Sequence, residues 1–231
     1  MAVTTSVYSH SAALFANKQI TFTRIKVKLL TSSASFNAAH TAVNSVDNGA
    51  APATVTVTIA SPGVFTDTAH GFSANQAIKF QTTGALPTGI TADTYYYVLS
   101  PTTNTYTVSA TPGGAAIATT GSQSGVHTRY ASGSFEFYGN AWPVGGPTLA
   151  SVSVTQVAIT DATVNDAKLS ATDVDIVASG GSIGPARAAL VYADDIMKPL
   201  GYIDFGADFS AGDTTDFKIR WNTNGVFNWT I

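Results

Sequence analysis

Apolar and polar side chains alternate along much of this chain, with the period of a β-strand. The clearest stretch is residues 21–29, TFTRIKVKL, in which apolar side chains are separated by three cations. Because successive side chains of a strand point to opposite faces of a sheet, this stretch is predicted to be a half-buried antiparallel strand with its cations on the second face. Helical spacing is nearly absent. The one short helix that the sequence predicts covers residues 12–16, with Ser9 as its candidate N-cap.

Residues 52–129 differ in amino-acid composition from the rest of the chain. Acids and bases are scarce there, and Thr, Gly, Pro and Tyr dominate. Short alternating runs are punctuated by Gly and Pro at intervals of about 8 to 12 residues, a spacing typical of a small β-sandwich or barrel. We therefore predict an inserted small β domain over residues 52–129. Its strands are predicted at residues 55–59, 77–80, 95–99 and 106–109.

The two flanking segments, residues 1–51 and 130–231, are predicted to form one outer domain. Its short alternating runs, together with a hairpin turn at residues 224–225, indicate an antiparallel β-sandwich that is Ig-like or jelly-roll-like. The fold class predicted for the whole chain is therefore all-β. The strands predicted after residue 130 are residues 134–137, 149–159, 168–169, 174–177, 188–192, 200–205, 216–221 and 226–231.

The composition excludes several classes of protein. The chain has no cysteine, so disulfides, thiolate catalysis and cysteine-ligated metals are excluded. Only 11% of the 231 residues are charged, well below the roughly 25% of an average domain, which favours a protein that works inside an assembly. No apolar run approaches the ~20 residues of a membrane helix, and the first residues do not resemble a cleaved signal, so we expect synthesis in a cytoplasm without export by such a signal.

Charge is distributed unevenly between the two parts of the chain. Residues 1–130 carry a net charge of +3 and residues 131–231 a net charge of −6. Neither part contains the dense Lys and Arg stripe that neutralising phosphates requires, so no nucleic-acid partner is expected. This charge asymmetry either orients identical subunits head to tail or reflects only a solvated acidic face.

Several segments resemble structural proteins of tailed bacteriophages. In the outer domain these are TRIKVKLLTSS at residues 23–33, residues 188–192 with 198–206, and residues 217–228, which include WNTNGVFN. The inserted part resembles a β module that recurs in phage tail and virion proteins. The segments that carry this second resemblance are residues 68–72, 82–89, 95–98 and 109–114.

The resemblance implies that the chain is a virion component, assembled in the host bacterial cytoplasm. Capsid decoration, or cementing, is the leading expectation; its partners would be the major capsid protein or other virion proteins and further copies of the chain, most simply as a trimer. The alternative is a tail or baseplate component, including a receptor-binding attachment protein. Members of this family often lack the insertion. No membrane partner and no cofactor is expected.

Catalytic and metal-binding patterns are weak, and we expect no enzymatic activity. His10, His40, His70 and His127 lack metal-ligand spacing, and His70 is expected to hydrogen-bond the turn before Gly71. Acids that suit calcium are grouped in the second half, but without the spacing of an EF-hand. A strand-end or loop role is therefore weighed against a structural calcium site. The acids concerned are Asp173, Asp175, Asp194, Asp195, Asp204 and Asp208.

Exposed aromatic residues are the remaining candidates for function. Tyr95, Tyr96 and Tyr97 are adjacent, so at least one ring must point away from the core of the inserted domain. Trp142 lies in a predicted loop, and the sequence favours it as a contact residue over Trp221 and Trp229, which alternate into the predicted core. Tyr and Trp are enriched in protein interfaces, so Tyr95–Tyr97 and Trp142 are the interface candidates, weighed against a cross-strand tyrosine pair on an open face.

Overall fold

The computed structural model describes residues 3–157, 166–222 and 225–230. The protein is 43% strand and 7% helical, and the described strand pairs are antiparallel. The all-β prediction is therefore confirmed. The chain divides into two compact units: unit 1 comprises residues 1–48 and 134–231, and unit 2 comprises residues 49–133. The predicted insertion, residues 52–129, lies within unit 2.

The elements of each unit can be given in chain order. Unit 1 begins with β1 (Thr4–Val7), α1 (Ser11–Ala16), β2 (Ile25–Leu30) and α2 (Val43–Asp47). Unit 2 contains β3 (Ala53–Val57), β4 (Phe65–Thr66), β5 (Ala77–Thr82), β6 (Tyr95–Leu99), β7 (Thr105–Ser109) and β8 (His127–Ala131). Unit 1 then resumes with β9 (Glu136–Phe137), β10 (Ser153–Val157), β11 (Asp166–Ser170), β12 (Val174–Val177), β13 (Ile183–Ala193), β14 (Lys198–Ala211), β15 (Asp216–Ile219) and β16 (Phe227–Thr230).

Unit 1 is built around a five-stranded sheet in the order β1-β14-β13-β2-β9. Two smaller sheets, β10-β11-β16 and β12-β15, contribute to the same core. Val27 of β2 and Val191 of β13 lie opposite each other in register, and both are fully buried with Phe217 of β15 and Phe227 of β16 in one cluster. Sheet packing on sheet is the arrangement expected of strands that each bury one apolar face.

The first predicted strand differs from expectation at its start and on its second face. Phe22–Arg24 forms a single 3-10 turn, and the strand begins at Ile25. Lys28 is fully buried, because its side of β2 is covered by other parts of unit 1. The half-buried prediction for this strand is therefore wrong. The predicted helix is confirmed, but it begins at Ser11, and the residue at its N-cap is His10.

The last predicted turn also differs from expectation. Asn224 lies outside the described residues, and Gly225 forms an isolated bridge with Asn222. The strands on either side pair elsewhere, β15 with β12 and β16 with β11, so they do not form the predicted hairpin with each other. Phe227 of β16 packs into the unit 1 core while its strand pairs with β11.

Unit 2 is a closed six-stranded barrel in the order β3-β4-β7-β6-β5-β8. Its interior is filled by aromatic rings: Phe65 stacks on Phe80 with centroids 4.4 Å apart and on Tyr106 at 5.5 Å. Closure leaves no unpaired edge around the barrel, which removes the aggregation hazard of an exposed edge strand. The predicted alternatives were a sandwich or a barrel, and the barrel is the one observed.

The insertion point is closed by hydrogen bonds within unit 1. The backbone N–H of Phe135 donates to the carbonyl oxygen of Asp47 (2.9 Å), and the side-chain amide of Asn48 donates to the hydroxyl of Ser134 (2.9 Å). The two chain segments that lead into and out of unit 2 are therefore held side by side. A domain inserted between two such neighbouring segments adds little loop-closure cost to the domain that hosts it.

Candidate functional site

The three consecutive tyrosines of β6 alternate between the two faces of the barrel wall. Tyr96 points inward and is 5% exposed, and its hydroxyl accepts a hydrogen bond from the backbone N–H of Thr91 (2.8 Å). Tyr95 and Tyr97 are half-buried and point outward. The prediction that at least one ring must leave the barrel core is confirmed.

Tyr95 belongs to a row of side chains that crosses three strands on the outward face of the barrel wall; the middle side chain of the row, Lys79, is fully buried. In register, Tyr95 and Tyr130 flank Lys79 of the central strand β5. The Lys79 ammonium lies 5.7 Å from the Tyr95 ring centroid and 6.0 Å from that of Tyr130, within the range of cation–π attraction. Its nitrogen is also 3.8 Å from the Asp93 carboxylate. Burial, with a contribution from Asp93, raises the pKa of Tyr130.

Trp142 does not lie on the surface. Its side chain is 1% exposed and packs edge-on against Phe217, with ring centroids 5.5 Å apart. The prediction of Trp142 as an exposed contact residue is therefore wrong: paired backbone hydrogen bonds between Gly139 and Trp142 form a tight turn, and the indole packs into the unit 1 core. Trp221 is partly buried against that core, as predicted, and its indole N–H donates to the carbonyl of Thr172 (2.8 Å). The side chain of Trp229 lies outside the described residues.

Four of the six acids that were weighed as calcium ligands are bound to cations of the chain: Asp173, Asp175, Asp194 and Asp204. Asp173 and Asp175 both face Arg220, at 3.4 and 3.2 Å, and Asp175 also binds Lys218 at 3.1 Å. The hydrogen bond from Lys218 lowers the pKa of the Asp175 carboxyl. In the part of the chain that the structure describes, no group of three or more His, Asp or Glu side chains is arranged to hold a metal ion.

Asp194 and Asp204 are likewise paired. Asp194 is fully buried and accepts from Arg24 at 3.0 Å, with Lys26 at 3.4 Å. Asp204 accepts from Arg187 at 2.9 Å, and this hydrogen bond lowers the pKa of Asp204. These ion pairs are strand-end and strand-to-strand contacts. They match the structural role that was weighed against a calcium site for these acids.

His70 hydrogen-bonds its own turn, as predicted: its Nδ1 accepts from the backbone N–H of Phe72 (2.9 Å). His127 lies at the barrel end between the hydroxyl of Thr82 (2.8 Å) and the amide oxygen of Gln123 (3.1 Å). Burial lowers the pKa of the His127 imidazole, so it is neutral near pH 7.

A fully buried ionic cluster in unit 1 was not predicted from the sequence. The ammonium of Lys28 lies 2.7 Å from the Asp47 carboxylate and 2.8 Å from that of Glu136, and each of the three side chains is at most 1% exposed. Gly145 donates its backbone N–H to the other oxygen of Glu136 (2.6 Å). Burial raises the pKa of Glu136, and Asp47 adds to the rise, although Lys28 opposes it. The only signal in the sequence is a lysine inside an otherwise apolar run, VKLL.

A cleft of about 640 Å³ opens in unit 1 between β1 and β14 on one side and β15 on the other. Phe205, Phe209 and Trp221 are among the side chains that line it, and Phe209 is 45% exposed. Its two cations, Lys218 and Arg220, are already bound to the acids named above. The described lining therefore offers apolar contact surface and paired charges.

Comparison with known proteins adds no relative: no family model, no curated protein and no solved structure matches the chain. Among the described residues, no helix is long and apolar enough to cross a membrane.

Proposed function

We propose that this chain is a structural component of a bacteriophage particle and, within it, a decoration or cement protein that binds the head shell and neighbouring copies. Its partners would be the major capsid protein and further copies of the chain, arranged as a trimer. In this proposal the chain acts through its surfaces and carries out no reaction.

One observation carries the proposal. The outer segments that resemble phage structural proteins, spread over about 200 residues of sequence, come together in unit 1 as β2, β13, β14, β15 and β16. Strands β14, β13 and β2 are consecutive neighbours in the central sheet. The segments that resemble the recurring phage module all fall within the barrel of unit 2. Each resemblance thus corresponds to one compact unit, which is the pattern expected when a recurring module is inserted into a loop of a host domain.

The low charge and the ion pairing support the same reading. Only 11% of the residues are charged, and partly exposed acids of unit 1, among them Asp175 and Asp204, are bound to cations of the chain. Neutral polar surfaces suit protein–protein contacts within a shell, where few unpaired charges must be stripped of water.

The test is to locate the chain on purified particles of the phage that encodes it. Gold-labelled antibodies raised against the barrel should decorate the heads, and purified chain should rebind to heads from a deletion strain. The rebound mass per head should be a multiple of three chains per site. Label confined to the tail or tail tip would establish the alternative, a tail or baseplate component that includes a receptor-binding attachment. Particles that contain no copies of the chain would overturn the proposal.

A further inference from the structure

The wall that β15 contributes to the unit 1 cleft is the edge of that strand. The cleft contacts every residue of β15, Asp216–Ile219. Successive side chains of a strand point to opposite faces, so a cavity that contacts each residue in turn lies along the edge and not over one face. No described residue of β12, the partner of β15, lines the cleft. The cleft therefore follows the side of β15 that faces away from β12.

This edge of β15 has no strand partner among the described residues. The sheet consists of β12 and β15 alone, and β16, the next strand along the chain, pairs with β11. At the end of the ladder the Ala178 N–H donates to the Thr215 carbonyl (2.9 Å). Hydrogen-bonded pairs alternate in an antiparallel ladder, so in this register the backbone N–H and C=O groups of Asp216 and Lys218 point into the cleft.

The opposite wall is the face of the central sheet. It includes Val3 and Thr5 beside Ile203, Phe205 and Phe209, side chains that lie at even spacing along their strands. The rings of Phe205 and Phe209 meet edge to face, with centroids 6.0 Å apart, and Phe209 is 45% exposed. This wall offers apolar contact to any side chain that enters the cleft.

The charged side chains of β15 are bound within the chain. Lys218 binds Asp216 at 2.6 Å and Asp175 at 3.1 Å, and Arg220 binds Asp173 and Asp175. A charged side chain of a partner would have to break one of these pairs, or lose its water without gaining a pair. The cleft therefore favours an uncharged partner.

We propose that the cleft binds an extended, uncharged peptide segment of a partner protein. The segment adds to the free edge of β15 as a third strand of the β12-β15 sheet and places apolar side chains, at alternate positions, against Phe205 and Phe209. Only an extended backbone matches the row of N–H and C=O groups along a strand edge. The site does not depend on where the protein resides, so it goes beyond the proposed function and is tested separately.

The probe is a capped peptide with the sequence Thr-Val-Thr-Val-Thr-Ile, which is that of residues 54–59: it is uncharged and has an apolar side chain at every second position. A fluorescent label on a soluble tail allows titration with the full chain by anisotropy. We expect saturable binding. Hydrogen exchange of the complex should be slower over residues 216–219 than in the free chain, and unchanged in β5 of the barrel.

Two methylated peptides test whether backbone hydrogen bonds hold the segment. One is N-methylated at its threonines and the other at its valines and isoleucine. The N–H groups of alternate residues share one edge of a strand, so at least one methylated peptide should bind about tenfold more weakly than the parent. This test does not depend on the folding of any variant.

Variants of the chain test the two walls. Lys218→Pro removes the N–H that points into the cleft and should weaken binding by about tenfold. Lys218→Ala is the matched control, because it removes the same ion pairs and retains the N–H, so its affinity should stay close to that of the wild type. Phe209→Ala should weaken binding by about fivefold.

Three results would overturn the proposal: no saturable binding of the parent peptide, equal binding of the parent and both methylated peptides, or binding without slower exchange over residues 216–219. Self-association of the chain that the parent peptide displaces would support it and would identify the segment as part of a second copy. None of these results bears on the test of particle location described above.

Discussion

Replacing Trp142 with alanine separates the surface role that the sequence suggests from the core position that the structure describes. A large aromatic side chain buries about 150–250 Å². At about 25 cal/mol per Å², its removal costs about 4–6 kcal/mol of hydrophobic free energy. Part of this is offset, because the indole N–H is buried without a hydrogen-bond partner among the described residues, and burying such a group costs about 1–3 kcal/mol.

The net expectation for Trp142→Ala is a fall of about 3–5 kcal/mol in the free energy of unfolding of unit 1. The turn itself should survive, because Gly139 and Trp142 are joined by backbone hydrogen bonds of 2.8 and 2.9 Å that alanine retains. The loss therefore measures the packing of the indole against Phe217 and its neighbours, and not the loss of the loop.

The assay is urea denaturation followed by tryptophan fluorescence. All three tryptophans of the chain belong to unit 1: Trp142, Trp221 and Trp229. Tryptophan fluorescence therefore follows the unfolding of unit 1 and not that of the barrel. In the variant, the two remaining tryptophans supply the signal. Far-UV circular dichroism recorded on the same samples follows both units.

Phe209→Ala is the matched control, because Phe209 is a large aromatic residue of the same unit that is 45% exposed. Its loss should cost less than about 1 kcal/mol. If Trp142→Ala costs as little as the control, the core position of Trp142 is wrong and the contact role suggested by the sequence is restored.

Three further predictions concern other sites. Gly201→Ala places a β-carbon against the Phe227 ring and should cost about 1–3 kcal/mol by the same assay, whereas Gly212→Ala, whose β-carbon would make only ordinary van der Waals contact with Thr215, should be neutral. Tyr106→Phe should leave the thermal midpoint of the barrel unchanged or raise it, because the buried hydroxyl has no partner among the described residues; a clear drop would show that it has one. Asp204→Asn should cost about 0.2–1 kcal/mol above pH 5, since the carboxylate is partly exposed. That difference should vanish as the pH falls below about 4, because the folded-state pKa of Asp204 is lowered and its contribution is lost on protonation; a constant difference would contradict this.

Local pattern alone was enough to predict most strands of the chain. The alternation in Tyr95–Leu99 and Val174–Val177 matches the observed strands residue for residue, because side-chain direction in a strand depends only on the backbone of that strand. The short strands β1, β4 and β8 were missed. The β4 strand has two residues, and β8 carries His127 and Arg129 on its inward face, so neither shows the apolar period that identifies a strand.

The division into an outer domain and an insertion also followed from the sequence, because the change in composition between residues 52 and 129 is visible without any coordinates. The closure of the insertion into a barrel was not determined in this way. Closure requires β3 to pair with β8, for example Val55 with His127, and such pairing between distant segments is not encoded in the alternation of either strand.

Tertiary structure decided whether individual side chains are buried, ion-paired or exposed. Lys28 was expected on an open face, and it is buried because Asp47 and Glu136, which lie 19 and 108 residues away, meet it there. Trp142 was expected on the surface, and it is buried because its turn folds the indole onto Phe217. Sequence period determines which way a side chain points along its own strand. Whether that direction leads to solvent, to an ion partner or into a core depends on segments remote in the chain, because burial is a property of the whole packed unit.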